Sequence, residues 1–235
     1  MIYPIAVVLI AAIVVGVILW KVIPTFATLF AGLGAELPLP TRVATAASNN
    51  LVRFGPFLLV GLAAFVFAMR SYYATAGGRM AIDRFVLKLP IFGLLMRKIA
   101  VARFCRTLAT LLASGVSILE ALDITARTSG NAVVEEAILT TRKSIERGET
   151  IAAPLKETAV FPAMVVQMIG VGEATGALDT MLAKIADFYE EEVDVAVAGL
   201  LTLLEPVMIA FLGGVVGGIV IAMYMPIFDL ISKLT

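Results

Sequence analysis

Five acidic residues within eight positions, Asp187, Glu190, Glu191, Glu192 and Asp194, form the densest group of chemistry-capable side chains in the sequence. Carboxylates this close could hold a cation or serve as the acid and base of a glycosidase. Consecutive residues on a helix point in different directions, however. The pattern therefore reads as a solvated acidic collar at a membrane surface, with a metal-binding cluster as the alternative. Glu205, followed by Pro206, is the one carboxylate between Leu203 and Phe228. A charge is costly inside a membrane, so Glu205 reads as a group near an interface, solvated or paired with a basic side chain; an ion or proton relay is the alternative. Gly170, Gly172 and Gly176 flank Glu173, but they lack the G-x-G-x-x-G spacing and a preceding strand. Neither a phosphate-binding G-x-x-x-x-G-K-[ST] loop nor a G-x-S-x-G nucleophile elbow occurs. Histidine is absent, which excludes imidazole-based proton transfer, phosphotransfer and zinc ligation. Cys105, the only cysteine, permits no internal disulfide and reads as a small buried hydrophobe. No catalytic, cofactor-binding or metal-ligating residue is assigned, and no enzymatic activity is expected.

The elements that position these residues are set by composition. The 235 residues are 60% hydrophobic and 15% charged, with a mean hydropathy of +1.01, outside the range of soluble domains. An all-α integral membrane protein with three transmembrane helices is expected. Ile2 to Trp20 carries no charge, and nineteen helical residues reach ~28 Å, close to the hydrocarbon thickness of a bilayer. A signal peptide would need a basic first region, which is lacking after Met1. Residues 1–20 are thus the first span, with Trp20 and Lys21 at its interface. Residues 21–53 read as a polar connector rich in Pro and Gly, in which Thr41 caps a short helix. Residues 54–70 form the second span, bounded by Arg53 and Arg70, and residues 200–228 the third, followed by a tail over 229–235. In the third span Gly213, Gly214, Gly217 and Gly218 give two small-xxx-small registers. These suit close packing against another helix, in the same subunit or a second one. Between Arg70 and Arg106 eight basic residues face one acidic residue, Asp83, a net charge of +7; between Lys21 and Arg53 the net charge is +2. The positive-inside rule then places the segment after Arg70 in the cytoplasm and the connector and tail outside. The juxtamembrane position of these charges already accounts for them, so no nucleic-acid partner is expected; membrane lipid is.

Residues 71–199 read as a cytoplasmic antiparallel helical bundle. Val101, Phe104, Cys105, Leu108, Leu111 and Leu112 form one apolar stripe, ended by Ser114 and Gly115. Ser117 to Glu120 matches a capping box and starts the next helix, which stops at Gly130. Asn131 caps a third helix that ends at Gly148, and Thr150 caps a short fourth with Pro154 near its first turn. A fifth opens at Pro162 and is broken by the Gly172 and Gly176 pair. The next begins near Ala177, buries Leu178, Met181, Leu182, Ile185 and Phe188, and runs without a Gly or Pro as far as Gly199. It therefore leads directly into the third span. The acidic collar lies near the end of this lobe and the basic segment at its beginning, so pairing between them would hold the lobe at a fixed angle to the spans.

Four stretches carry a resemblance. They are GLGAELPLPTR (Gly32 to Arg42), KLPIFGLLMRKIAVARFCRTLATLLASGVSILEAL (Lys88 to Leu122), VVQMIGVGEATGALDTMLAKIADFYEEEVD (Val165 to Asp194) and LLEPVMIAFLGGVVGGIVIAMYMPIF (Leu203 to Phe228). Together they resemble the inner-membrane platform protein of type IV pilus assembly and type II secretion, the PilC and general secretion pathway protein F family, with wording around Gly172 to Glu192 closer to the pilus branch. The resemblance implies a multi-pass protein of the bacterial inner membrane, without cofactors and forming a homo-oligomer. It also implies three kinds of partner: a hexameric secretion ATPase, the pilin or pseudopilin, and other inner-membrane assembly proteins. Members of the family carry two related cytoplasmic domains, one before the first span and one after the second. This chain matches the second half, which implies a truncated or split gene product or a first copy supplied by another chain. A small transporter or channel is the competing class, but it would line several spans with polar residues. A membrane-anchored scaffold of another assembly is a third.

Overall fold

The computed structural model describes residues 2–25, 28, 39–158 and 160–234. Every regular element among them is helical: α1 (Ile2–Val17), continued by a π-turn (Ile18–Val22), then α2 (Leu39–Tyr73), α3 (Ala76–Lys88), α4 (Phe92–Ala113), α5 (Ile118–Thr128), α6 (Ala132–Glu146), α7 (Ala152–Glu157), α8 (Ala163–Thr175) and α9 (Leu178–Leu234). They divide into two units, one of residues 1–67 and 199–235 and one of 68–198. Three helical segments are long and apolar enough to cross a membrane: Ile5–Thr25, Val52–Tyr73 and the helix containing Leu178–Met225.

In the first unit the helix expected within the connector differs from its sequence pattern. Residues 39–53 do not cap a short helix at Thr41; they are the first half of α2, which passes through Pro56 unbroken. Much of GLGAELPLPTR lies outside the described residues. What holds the first half of α2 is polar. The Thr41 hydroxyl, buried, donates to the Ala222 carbonyl on α9 at 2.6 Å, and Ser48, fully buried, donates to the Leu19 carbonyl in the π-turn. A π-turn displaces carbonyls from the regular ladder, and a hydroxyl on a neighbouring helix satisfies one of them. Among the described side chains of α9 in this unit Ile219 and Ala222 are buried, whereas a Cβ at Gly213, Gly214, Gly217 or Gly218 would meet nothing within 4 Å. The glycine stripe therefore makes no close helix contact among the described residues.

The second unit is a helical bundle around a continuous apolar core. Phe104, Leu108, Leu122, Ile138, Leu155 and Ile169 are fully buried, and the Phe104 and Phe161 rings meet at 4.9 Å. The α4 stripe is buried as its spacing predicts, with Leu111 and Leu112 at its edge. Asn131 accepts from the Val133 and Val134 amides at the start of α6. Two expected caps are not made. Ser117 stands at the N-cap of α5 without a side-chain hydrogen bond, and the N-cap of α7 is Ile151 rather than Thr150. Pro162 is an N-cap, one residue before the first helical position. On α9 the seam turns from Leu182 and Ile185 to Ala186 and Tyr189, leaving Phe188 47% exposed. The physical reason is the helical period: a residue four past Ile185 returns to within about 40° of its face, one three past it to within only about 60°.

Gly176 alone breaks the chain between α8 and α9. Its φ of +72° is left-handed, the Gly176 amide donates to the Glu173 carbonyl and the Ala177 amide to the Gly172 carbonyl at 2.9 Å. This paired closure satisfies two carbonyls that the helix end leaves free. A Cβ at Gly176 would meet nothing within 4 Å, so substitution is opposed by backbone strain and not by crowding. Gly176→Val is expected to cost ~1–3 kcal/mol, whereas Gly176→Asn, a residue that visits this region, costs less. Melting temperatures of the reconstituted chain should fall in that order. Equal melting of both variants and the parent would mean that the turn relaxes without cost.

Candidate functional site

The acidic collar and the basic segment meet within the second unit. Arg106, on α4, donates from Nε to Glu190 Oε1 at 2.8 Å and from a terminal nitrogen to Glu190 Oε2 at 2.7 Å, and it also pairs with Asp187. The two-point contact with Glu190 is the fork geometry that guanidinium and carboxylate share. Two residues further along α9, Glu192 Oε2 pairs with Lys98 at 2.5 Å. Arg106 and Lys98 stand eight residues apart on α4, and Asp187, Glu190 and Glu192 fall within six residues of α9, so the contacts run along one helix–helix seam. Hydrogen bonds to Glu190 and then Asp187 push the Arg106 pKa further up, which fixes its charge at any working pH. All five side chains are at least one-third exposed. Each pair is therefore worth about 0–1 kcal/mol, and the seam acts through their sum and geometry.

Glu191 and Asp194 make no ion pair with a described residue. Asp194 lines a shallow groove with Arg103, Arg106, Thr107 and Glu190. Asp187, Glu190 and Glu192 are turned to basic partners, and no group of three His, Cys, Asp or Glu among the described residues could hold a metal ion. Glu205 and Pro206 lie inside α9, where the helix continues past both.

Gly172, expected to break the helix together with Gly176, does different work, and Glu173 beside it has a role of its own. Gly172 sits within α8, and a Cβ there would come within 3.0 Å of Met181 Cβ and 3.1 Å of Leu178 Cα. It permits close approach of α8 and α9. The Glu173 carboxylate accepts the Ile151 amide with both oxygens, at 2.9 and 3.0 Å. It supplies from a neighbouring helix the acceptor that Thr150 was expected to provide, and it brings a negative charge to a helix start, where the helix dipole favours one.

The sequence reading missed a second carboxylate of this kind. Asp83 on α3 is buried, accepts the Ala132 amide at 2.6 Å at the start of α6, and accepts the Tyr73 hydroxyl at 3.0 Å. The available signal was its isolation as the only acid between Arg70 and Arg106. Arg79 pairs with Glu135 at 3.1 Å beside it. No buried polar side-chain atom among the described residues lacks a partner.

The profile of the family described as type II secretion system (T2SS), protein F, matches residues 104–226, which take in Arg106, the collar and the apolar half of α9. The type IV pilus assembly protein PilC of Myxococcus xanthus is 52% identical over 230 residues, covering 98% of this chain and 55% of that protein. PilC of Thermus thermophilus is 51% identical over 238 residues, covering 100% and 58%. The type II secretion system protein F of Vibrio cholerae is 32% identical over 230 residues, covering 98% and 57%. The chain thus spans between half and two-thirds of the length of these relatives.

Proposed function

We propose, because this chain belongs to the type II secretion system protein F family, that it forms the non-enzymatic inner-membrane platform of a type IV pilus or type II secretion machine. The higher identity to the pilus proteins favours the pilus branch. Residues 68–198 face the cytoplasm, consistent with the basic segment after Arg70, and contact a hexameric ATPase. The apolar helices handle pilin or pseudopilin. Without a nucleotide-binding motif, the chain takes part in ATP-driven work by contact with a motor. The observation that carries this reading is the family match itself, which encloses Arg106 with its partners Asp187 and Glu190 and α9 as far as Pro226. A push on the bundle passes through the pairs between α4 and α9 into α9, which is one helix from Leu178 to Leu234.

The test is a charge reversal in a host lacking its own copy of the gene. Arg106→Glu is expected to abolish pilus assembly or secretion while membrane insertion and copurification with the ATPase persist. Adding Glu190→Arg should restore part of the activity. Glu191→Lys, at a carboxylate without a partner, should be tolerated. Normal assembly by Arg106→Glu would remove the seam from the coupling path, and copurification with no ATPase under any condition would remove the platform reading.

A further inference from the structure

The turn between α3 and α4 presents an apolar tip ringed by cations. Phe85, Ile91, Phe92 and Leu94 are 58–65% exposed. Arg84 and Lys88 share the open face of α3 with Phe85, and Arg97 follows Leu94 by one turn of α4. From Arg84 to Lys98 there is no acidic residue. Lys98 is paired with Glu192, whereas Arg84, Lys88 and Arg97 form no ion pair with a described residue. Exposed apolar residues are ordinary one by one; four within ten positions, beside three unpaired cations, are not explained by packing within the bundle.

The tip is also held rigidly. The Gly93 amide donates to the Leu89 carbonyl at 2.8 Å, and a Cβ at Gly93 would run into the Leu87 carbonyl. Its position follows from a contact inside the same unit. Tyr73 is the last residue of the apolar segment Val52–Tyr73, and its hydroxyl donates to Asp83, the residue before Arg84. Tyrosine at a span end belongs to the headgroup region. Asp83 therefore ties α3 to the residue that ends this apolar segment.

We infer that the α3–α4 tip docks on the membrane, with Phe85, Ile91, Phe92 and Leu94 entering the headgroup–acyl boundary and Arg84, Lys88 and Arg97 contacting anionic lipid headgroups. Basic charge around aromatic and aliphatic side chains is the composition of an interfacial anchor. The occupant is lipid and not an acidic protein groove because cations ring apolar and aromatic side chains on a helix that is bonded to the last residue of a segment long and apolar enough to cross a membrane. This inference rests on the membrane reading of α2.

The test uses the full chain with Trp20→Phe, carrying Phe92→Trp or, as a second probe, Phe85→Trp, in nanodiscs of phosphatidylcholine with or without phosphatidylglycerol. Both probes are expected to emit at shorter wavelength than free tryptophan and to be quenched by lipids brominated near the headgroup. A probe at Ile124→Trp on α5 should be quenched by neither. Changing Arg84, Lys88 or Arg97 singly to Gln should lower the docked-to-free ratio in anionic discs roughly fivefold each. Solvent-like emission from both tip probes in discs that contain the chain would overturn the docking alone. A blue shift without bromine quenching would put a protein or a second copy on the tip and would also overturn it. A chain that fails to enter discs would overturn the membrane reading of α2 and the inference with it.

Discussion

Phe104→Ala is expected to open the bundle more than any other single truncation at a named position. The ring is fully buried, packs at 4.9 Å against Phe161 and sits in the core shared by the α4 stripe and α8–α9. Removing it deletes transfer energy and leaves a cavity, a loss of about 3–5 kcal/mol. Cys105 provides the measurement. Its thiol is fully buried and burial pushes its pKa up, so the folded chain should resist alkylation. If labelling follows opening of the fold, Phe104→Ala should accelerate it by roughly 10²- to 4 × 10³-fold. Phe104→Leu, which keeps most of the volume, should stay within about tenfold of the parent. Equal labelling rates for Phe104→Ala and the parent would mean that the bundle opens without disturbing this core.

Asp83→Ala should produce the next largest loss, by a different mechanism. The buried carboxylate accepts the Ala132 amide at 2.6 Å and the Tyr73 hydroxyl at 3.0 Å, and both donors lose their acceptor when it is removed. Hydrogen bonds to a charged group are worth about 1.5–3 kcal/mol each, and a donor left without a partner retains its desolvation cost. A loss of ~2–3 kcal/mol is expected because water can reach Tyr73 more readily than Ala132. Asp83→Asn keeps an acceptor but gives up the charge at the start of α6, a smaller change of about 0.3–1 kcal/mol. Hydrogen exchange at the Ala132 amide separates these cases: fast in the Ala variant, intermediate in the Asn variant and slow in the parent. Slow exchange in all three would show that a carbonyl or water replaces the carboxylate.

The carboxylates explain why part of the bundle was hidden from the sequence. A cap supplied from the adjacent chain position leaves a pattern, as Asn131 does before α6. Caps supplied from another helix leave none. Glu173 lies 22 residues from Ile151 and Asp83 lies 49 from Ala132, so local spacing pointed to Thr150 at the first start and was silent about the Asp83 contact at the second. The Ser117 box shows the converse: a correct local pattern marked the helix start, although its side-chain bond is not made. Similarly, the length of α2 escaped the reading because prolines, Arg42 and Arg53 marked a polar connector. Two hydroxyls, Thr41 and Ser48, are satisfied instead by carbonyls of other helices.

What the sequence determined by itself was the set of quantities that accumulate along the chain. Hydropathy marked three apolar segments, periodicity marked the α4 stripe, and Gly176 required a reversal because few other residues tolerate a φ of +72°. What only the tertiary structure decided was which distant groups share a partner. The eight basic residues between Arg70 and Arg106 look alike in sequence, yet Arg106 and Lys98 turn to the collar, Arg79 turns to Glu135, and Arg84, Lys88 and Arg97 remain around an apolar tip. The physical reason is that charge has no periodicity of its own. Its partner is selected by which helix faces it, and that is set by packing of the apolar residues between them.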